Sequence, residues 1–227
     1  MIDECILKGG KGNNFATNDN KIFILGKFSD EETNEMIGHL ACMVYSMKPC
    51  NIYSMPATIT NPYDLGDSDR PVIDVYINSP GGSGDILHSI STLLSIAKSR
   101  GALVRTTVLG NAASCGSLLA IQGTPGFRIM YSKAYHFVHF GRHGLSARTQ
   151  EEVNLMAMHI KEYTTETLKL YTDHTKLTQR DLNRLTKNEC GHLNATECLQ
   201  YGLCDWVIDD FGRLKQHVAN AKTSKQK

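Results

Sequence analysis

The chain contains no run of 18 apolar residues, the length from which a membrane-spanning helix is read. It also has no excess of charge: 24 basic residues against 23 acidic ones leave a formal net charge of +1. Near-neutrality removes the long-range field that recruits nucleic acid or a lipid surface, so neither is expected as a partner. There is no CxxC pair, and the seven cysteines are an odd number. That excludes a disulfide framework and a structural zinc site, and fits reduced thiols in a cytoplasmic compartment. The opening Met1–Lys8 has early acids and only a short apolar stretch, so no signal peptide is expected. Internal repeats are absent. What is present is an ordinary globular composition: 41% hydrophobic residues over 227 positions, enough for one substantial core.

Residues 1–20 are rich in Gly, Asn and Lys without periodicity and read as a flexible N-terminal arm. Lys21–Leu25 is a strand candidate ended by Gly26, and Ser29-Asp-Glu-Glu32 has the pattern of a capping box opening a helix to about Tyr45. Residues 46–71 hold four of the six prolines and read as a long inserted loop. Val72–Ile77 is a strand, Asn78–Ser83 a Gly-rich turn, and Asp85–Lys98 a helix with Gly101 just past its end. Val104–Val108 leads through a turn of small residues, Ala112-Ala-Ser-Cys-Gly116, into an apolar helical segment. This βαβ succession puts two strand-to-helix turns on the same edge of a parallel sheet, where α/β sites form. Arg128–Tyr131 and Ala134–Phe140 read as further strands. Thr149-Gln-Glu-Glu152 caps a helix of roughly 22–25 residues, long enough to project from a domain of this size. Its stripe of Val153, Met156, Ile160, Tyr163, Thr167 and Tyr171 then calls for a partner chain. Thr178 and Asn194 read as N-caps of two short helices with Asp181 and Glu197 at N3, Trp206–Ile208 as a last strand, and 213–227 as a basic tail.

Ser114 is the residue around which the chemistry gathers. A hydroxyl at a strand–turn–helix junction is a candidate nucleophile if a base reaches it, and the plain alternative is an N-cap serine. The Ser79-Pro-Gly-Gly-Ser83 turn lacks the lysine of a P-loop and the spacing of a dinucleotide fingerprint. Its glycines expose backbone N–H groups, which suits an oxyanion hole and equally a turn that needs positive φ. His136, His139 and His143 cluster in sequence. In an extended segment residues three apart face opposite sides and no carboxylate completes a ligand set, so neither metal nor other cofactor is expected.

Three stretches in order, Tyr76-Ile-Asn-Ser-Pro-Gly-Gly-Ser83, Ala112-Ala-Ser-Cys-Gly116 and the strand ending in Val138-His139, resemble the Clp protease proteolytic subunit. So does the late Ala195-Thr-Glu-Cys-Leu-Gln-Tyr-Gly-Leu-Cys-Asp205. The resemblance runs from about Lys21 to about Gly212. It implies an α/β, crotonase-like fold of repeated β-β-α units, with a protruding handle helix at about 141–174. It also implies a self-compartmentalising serine endopeptidase, acting on unfolded polypeptides in a homo-oligomeric, heptameric and stacked ring fed by an AAA+ unfoldase. By a gapless alignment from Ser114 the family's catalytic histidine falls on His139. Ser114 would then be the nucleophile, His139 the base, and the N–H groups of Gly82 and Cys115 the oxyanion hole. His136 would fall on the other face, as packing or polar surface.

One departure stands out. Counted back from Tyr201, the family's acidic-Arg-Asp tract falls on Asn188-Glu189-Cys190, so Cys190 occupies the triad aspartate's position. Loss of that carboxylate lowers turnover by about 10⁴-fold in a serine-protease triad. Glu189 is the candidate replacement, with Asn188 as a neutral orienter and His192 nearby. A non-catalytic or weakly active ring subunit that co-assembles with an active peptidase is therefore the alternative function. The fold could also carry acyl-CoA chemistry, but no basic patch for that cofactor is evident.

Overall fold

The computed structural model describes residues 8–9, 15–18, 20–50, 59–65, 68–140, 149–187 and 191–216. Its centre is a parallel run of strands: β3 (Lys21–Ile24), β4 (Val72–Ser79), β5 (Leu103–Ala113), β6 (Arg128–Tyr131) and β9 (Trp206–Ile208). Helices α1 (Asp30–Ser46), α2 (Gly84–Ser99) and α3 (Cys115–Ile121) lie between successive strands in the chain. Alternation along the strands sorts side chains to two faces. Ile73, Val75 and Ile77 of β4 join Val104 and Val108 of β5 and the apolar stripes of the helices in the main core. On the opposite face Ile129, Trp206 and Ile208 form a smaller cluster, against which Ile59 and Leu214 pack. The architecture is α/β with a parallel-dominated sheet and, among the described residues, six helices, the class expected from the sequence.

Helices α4 (Gln150–His174), α5 (Gln179–Thr186) and α6 (Ala195–Tyr201) each begin at the expected cap, Thr149, Thr178 and Asn194, with a reciprocal capping box to Glu152, Asp181 and Glu197. Ser29 is the N-cap of α1, but its side chain makes no capping bond there; the Thr33 hydroxyl donates to the Ser29 carbonyl instead. Helix α4 has 25 residues, or roughly 37 Å at 1.5 Å per residue. Its stripe is buried at Thr167 and Tyr171, half-buried at Tyr163 and Ile160, and exposed at Val153. The helix is anchored at its C-terminal end and projects at the other. Among the described residues no helix is long and apolar enough to cross a membrane.

Several expectations need correction. Within the segment read as a flexible arm, β1 (Lys8–Gly9) and β2 (Phe15–Asn18) extend the sheet, β2 pairing antiparallel with β3. The residues read as tail begin with Arg213 bonded to Asp209, followed by β10 (Leu214–Gln216) pairing with β9. The expected strand over 134–140 is regular only at β7 (Tyr135–Phe137), and β8 (His192–Asn194) pairs with it antiparallel. Short edge strands carry too little periodicity to be read from sequence. Part of the 46–71 loop is a strap on the second sheet face: the Arg105 guanidinium donates to the Pro62 carbonyl at 2.9 Å and lies 4.7 Å from the centre of the Tyr63 ring.

Candidate active site

Three neighbouring parallel strands end on one edge of the sheet. In register, Ala112 of β5 has Ser79 of β4 on one side and His136 of β7 on the other. Chain continuity then delivers the glycine turn from β4, Ser114 from β5 and His139 from β7 to the same edge, the position at which open α/β sheets carry their sites.

Ser114 joins β5 to α3 with φ 54° and ψ −124°, and no other non-glycine residue described has a positive φ. That conformation is strained for an L-residue, by an order of about 1–3 kcal/mol, and persists only where the surroundings hold it. Two backbone bonds do so: the Ser114 amide donates to the Phe137 carbonyl at 3.0 Å, and the Ser114 carbonyl accepts from the Leu118 amide at 3.0 Å. Ser114 occupies the N-cap position, yet its side chain makes no capping bond. The capping alternative left open by the sequence is therefore not the use made of its hydroxyl.

The glycine turn abuts this junction. Gly81 has φ +90°, and a Cβ there would lie 2.6 Å from Ser114 Cβ and 2.7 Å from the Ala113 carbonyl oxygen. Only glycine permits both the conformation and the approach. The Ser79 hydroxyl accepts from the Gly81 amide at 3.0 Å and donates to the Gly26 carbonyl at 2.5 Å, fixing the turn from below. Gly82 bridges Phe28: the Phe28 amide donates to the Gly81 carbonyl at 2.9 Å and the Ser83 amide to the Phe28 carbonyl at 3.1 Å. In a parallel bridge of this kind the backbone groups of Gly82 itself face away from Phe28, and its carbonyl accepts the Cys115 thiol at 3.2 Å. Phe28 was missed in the sequence because a single bridge residue after a short strand leaves no pattern.

Burial pushes the Cys115 thiol up, against smaller opposing hydrogen bonds from Tyr163, Gly82 and Ser114. It stays a protonated donor rather than a thiolate. Tyr163 reaches it from α4, with its hydroxyl 3.9 Å from the sulfur.

His139 is half-buried, two residues beyond the Phe137 carbonyl that receives the Ser114 amide, and its ring centre lies 5.5 Å from that of Phe137. The Val138 amide donates to the Gly191 carbonyl at 2.7 Å, and a Cβ on Gly191 would come within 1.8 Å of the Val138 oxygen. His136 points elsewhere: it is fully buried and its Nδ1 lies 2.9 Å from the Ser117 hydroxyl, so it is core and not surface. His192 stacks on Tyr135 with centres 4.1 Å apart and meets the Phe137 ring edge-on. Asn188, Glu189, Cys190 and His143 lie outside the described residues.

A family model described as Clp protease matches residues 64–211, more than half of the chain. This chain belongs to the Clp protease family. The matched part of the Clp protease chain contains the glycine turn, Ser114, His139 and the 188–190 tract, and leaves out β1 to α1. It is similar to the ATP-dependent Clp protease proteolytic subunit of Streptococcus gordonii, with 33% identity over 107 residues, covering 47% of this chain and 52% of the relative. The subunit of the same name from Streptococcus uberis is 34% identical over 88 residues, 39% of this chain and 43% of the relative. That of Leuconostoc citreum is 39% identical over 79 residues, 35% of this chain and 38% of the relative. The chain spans about half the length of the first of these relatives.

Proposed function

We propose that this Clp protease family chain is a serine endopeptidase in which Ser114 attacks a peptide carbonyl and His139 takes the hydroxyl proton. The tetrahedral oxyanion would be held by the N–H groups of Gly82 and Cys115. His139 would then return the proton to the leaving amine, and water would release the acyl group by the same route. The observation that carries this reading is the strained backbone of Ser114, at φ 54°, wedged between the glycine turn and the strand leading to His139. A merely structural serine has no need of that conformation. Removal of one oxyanion donor typically costs about 10²–10³ in rate.

The orienting group for His139 is proposed to come from the 188–190 tract. Gly191, which directly follows that tract in the chain, accepts from the Val138 amide one residue before His139. Glu189 is the carboxylate of that tract. Unfolded polypeptides are the proposed substrate, delivered by an AAA+ unfoldase to a homo-oligomeric ring in which the projecting half of α4 meets a second copy.

A fluorophosphonate probe tests the reading directly. The wild-type protein is expected to take up label at Ser114 and the Ser114→Ala variant none; a folded wild-type oligomer that takes no label overturns it. The resemblance that puts Cys190 where the family carries its aspartate favours a second reading, a weakly active subunit that modulates an active homologue. Co-expression with an active Clp peptidase separates the two: mixed rings with altered host activity support the second reading, and their absence excludes it.

A further inference from the structure

We propose that Ser117, His136 and Tyr171 form a buried positioning relay that fixes the nucleophile-bearing turn against the base-bearing strand and ties both to helix α4. This inference rests on the reading of Ser114 and His139 as nucleophile and base. The three residues come from three elements. Ser117 lies on α3, whose N-cap is Ser114; His136 lies on β7, three residues before His139; Tyr171 lies near the buried end of α4. All three are fully buried. The Tyr171 hydroxyl donates to Ser117 Oγ at 3.0 Å, and Ser117 Oγ lies 2.9 Å from His136 Nδ1.

Tyr171 spends its only proton on Ser117, and Ser117 Oγ and His136 Nδ1 share one further proton between them. Nε2 finds no hydrogen-bond partner among the described residues. Burial, reinforced by the Arg128 charge, holds His136 far down at about 3, so the imidazole stays neutral. The Cys198 thiol, which bonds the His136 backbone, is pushed up to about 12 by burial and stays neutral also. The relay therefore has one protonation state at any ordinary pH.

Stability alone does not call for such a cluster. Exchanging buried hydrogen-bonded partners for apolar groups of matching shape is close to neutral or favourable, and among the described residues the relay leaves one ring nitrogen unpaired at a cost. Directional bonds supply what apolar packing does not: a single relative placement of the elements they join. The β5–β7 ladder, ending in the Ser114–Phe137 backbone bond, holds the strand ends together. The Ser117–His136 bond adds a side-chain tie beyond the ladder, one turn into α3, and so fixes the helix as well as the strand against β7. A misplacement of about 1 Å at the reacting groups can cost about 10²-fold.

The test uses the full-length protein and measures the second-order rate of fluorophosphonate acylation from pH 5 to 9, alongside thermal melting. Tyr171→Phe, which deletes one hydroxyl and keeps the packing, and His136→Leu are expected to slow acylation about tenfold to a hundredfold and to shift the pH midpoint of the reaction. His136→Asn, whose amide still offers Ser117 a partner, is expected to recover most of the rate even where its melting temperature is no higher than that of His136→Leu. Tyr171→Phe with an unchanged rate and unchanged midpoint overturns the relay while leaving the serine peptidase reading intact. A wild-type protein that takes no label overturns both.

Discussion

The amide of Ser114 donates to the carbonyl of Phe137 across 3.0 Å, so the end of β5 is bonded to the strand that leads into His139 before any side chain is considered. The backbone ladder, not a loop, brings the proposed nucleophile and base to one place. Parallel strands reach this arrangement only through crossover connections, which is why Ser114 and His139 are separated in sequence by α3 and β6.

Gly81→Ala should be damaging out of proportion to its size. The added methyl would meet Ser114 Cβ at 2.6 Å on a backbone at φ +90°. Strain of about 1–3 kcal/mol should lower the melting temperature. Displacement of Ser114 should slow fluorophosphonate labelling by about 10²-fold. Labelling at the wild-type rate would contradict the close approach.

Cys190→Asp should raise the acylation rate by about tenfold or more, if His139 lacks an optimal orienting carboxylate. Glu189→Ala should lower it. A rate unaffected by both substitutions would remove the 188–190 tract from the proposed mechanism.

Stability should fall on mild acidification, with His136 as one cause. Its folded-state value lies at about 3 against an ordinary 6.5, so between those pH values the unfolded chain binds the proton that the folded chain refuses. Stability from this group is full above about pH 6.5 and drains as pH falls through that window. Urea midpoints at pH 7, 6 and 5 should decline, and less steeply in His136→Asn.

Asp205 accepts from the Arg128 side chain at 2.9 and 2.6 Å and from the amides of Gly126 and Arg128 at 2.7 and 3.1 Å. Arg128 also donates to the His174 carbonyl at 2.5 Å, so this pair joins the sheet to the end of α4. Asp205→Ala should destabilise by about 3–5 kcal/mol by stranding the guanidinium. Arg128→Met with Asp205→Leu should restore much of that loss in denaturant titrations.

Thr149→Ala should loosen the projecting end of α4 without touching the core. The capping box with Glu152 would be lost, at a cost of about 1 kcal/mol. Amides in the first turn should exchange about fivefold faster, while those near Tyr171 keep their protection.

The long elements were legible because their signals are local. Thr149, Thr178 and Asn194 each announce a helix by a cap three residues ahead of an acid, and Gly202 ends α6 in the left-handed region at φ 72°. Ser29 shows the limit of the same rule, since its capping pattern opens a helix without forming the capping bond. Strands β2, β8 and β10 escaped because they are three or four residues long and owe their existence to a partner distant in the chain. At the site, Ser114 and the glycine turn could be picked out from their junctions. The partner of His136 could not: Ser117 is an unremarkable helical serine until tertiary contact brings the two together.

Strand β5 changes partner along its length, pairing with β6 through residues 106–108 and with β7 through 111–113. The sheet thus forks, and its two branches have different duties. The β6–β9–β10 branch carries the small apolar cluster around Trp206, whereas the β7–β8 branch leads into His139. A substitution on the second branch can alter chemistry without unzipping the first. Such modularity means that the scaffold and the edge bearing Ser114 and His139 answer to separate ladders, so residues at that edge can change while the fold is kept.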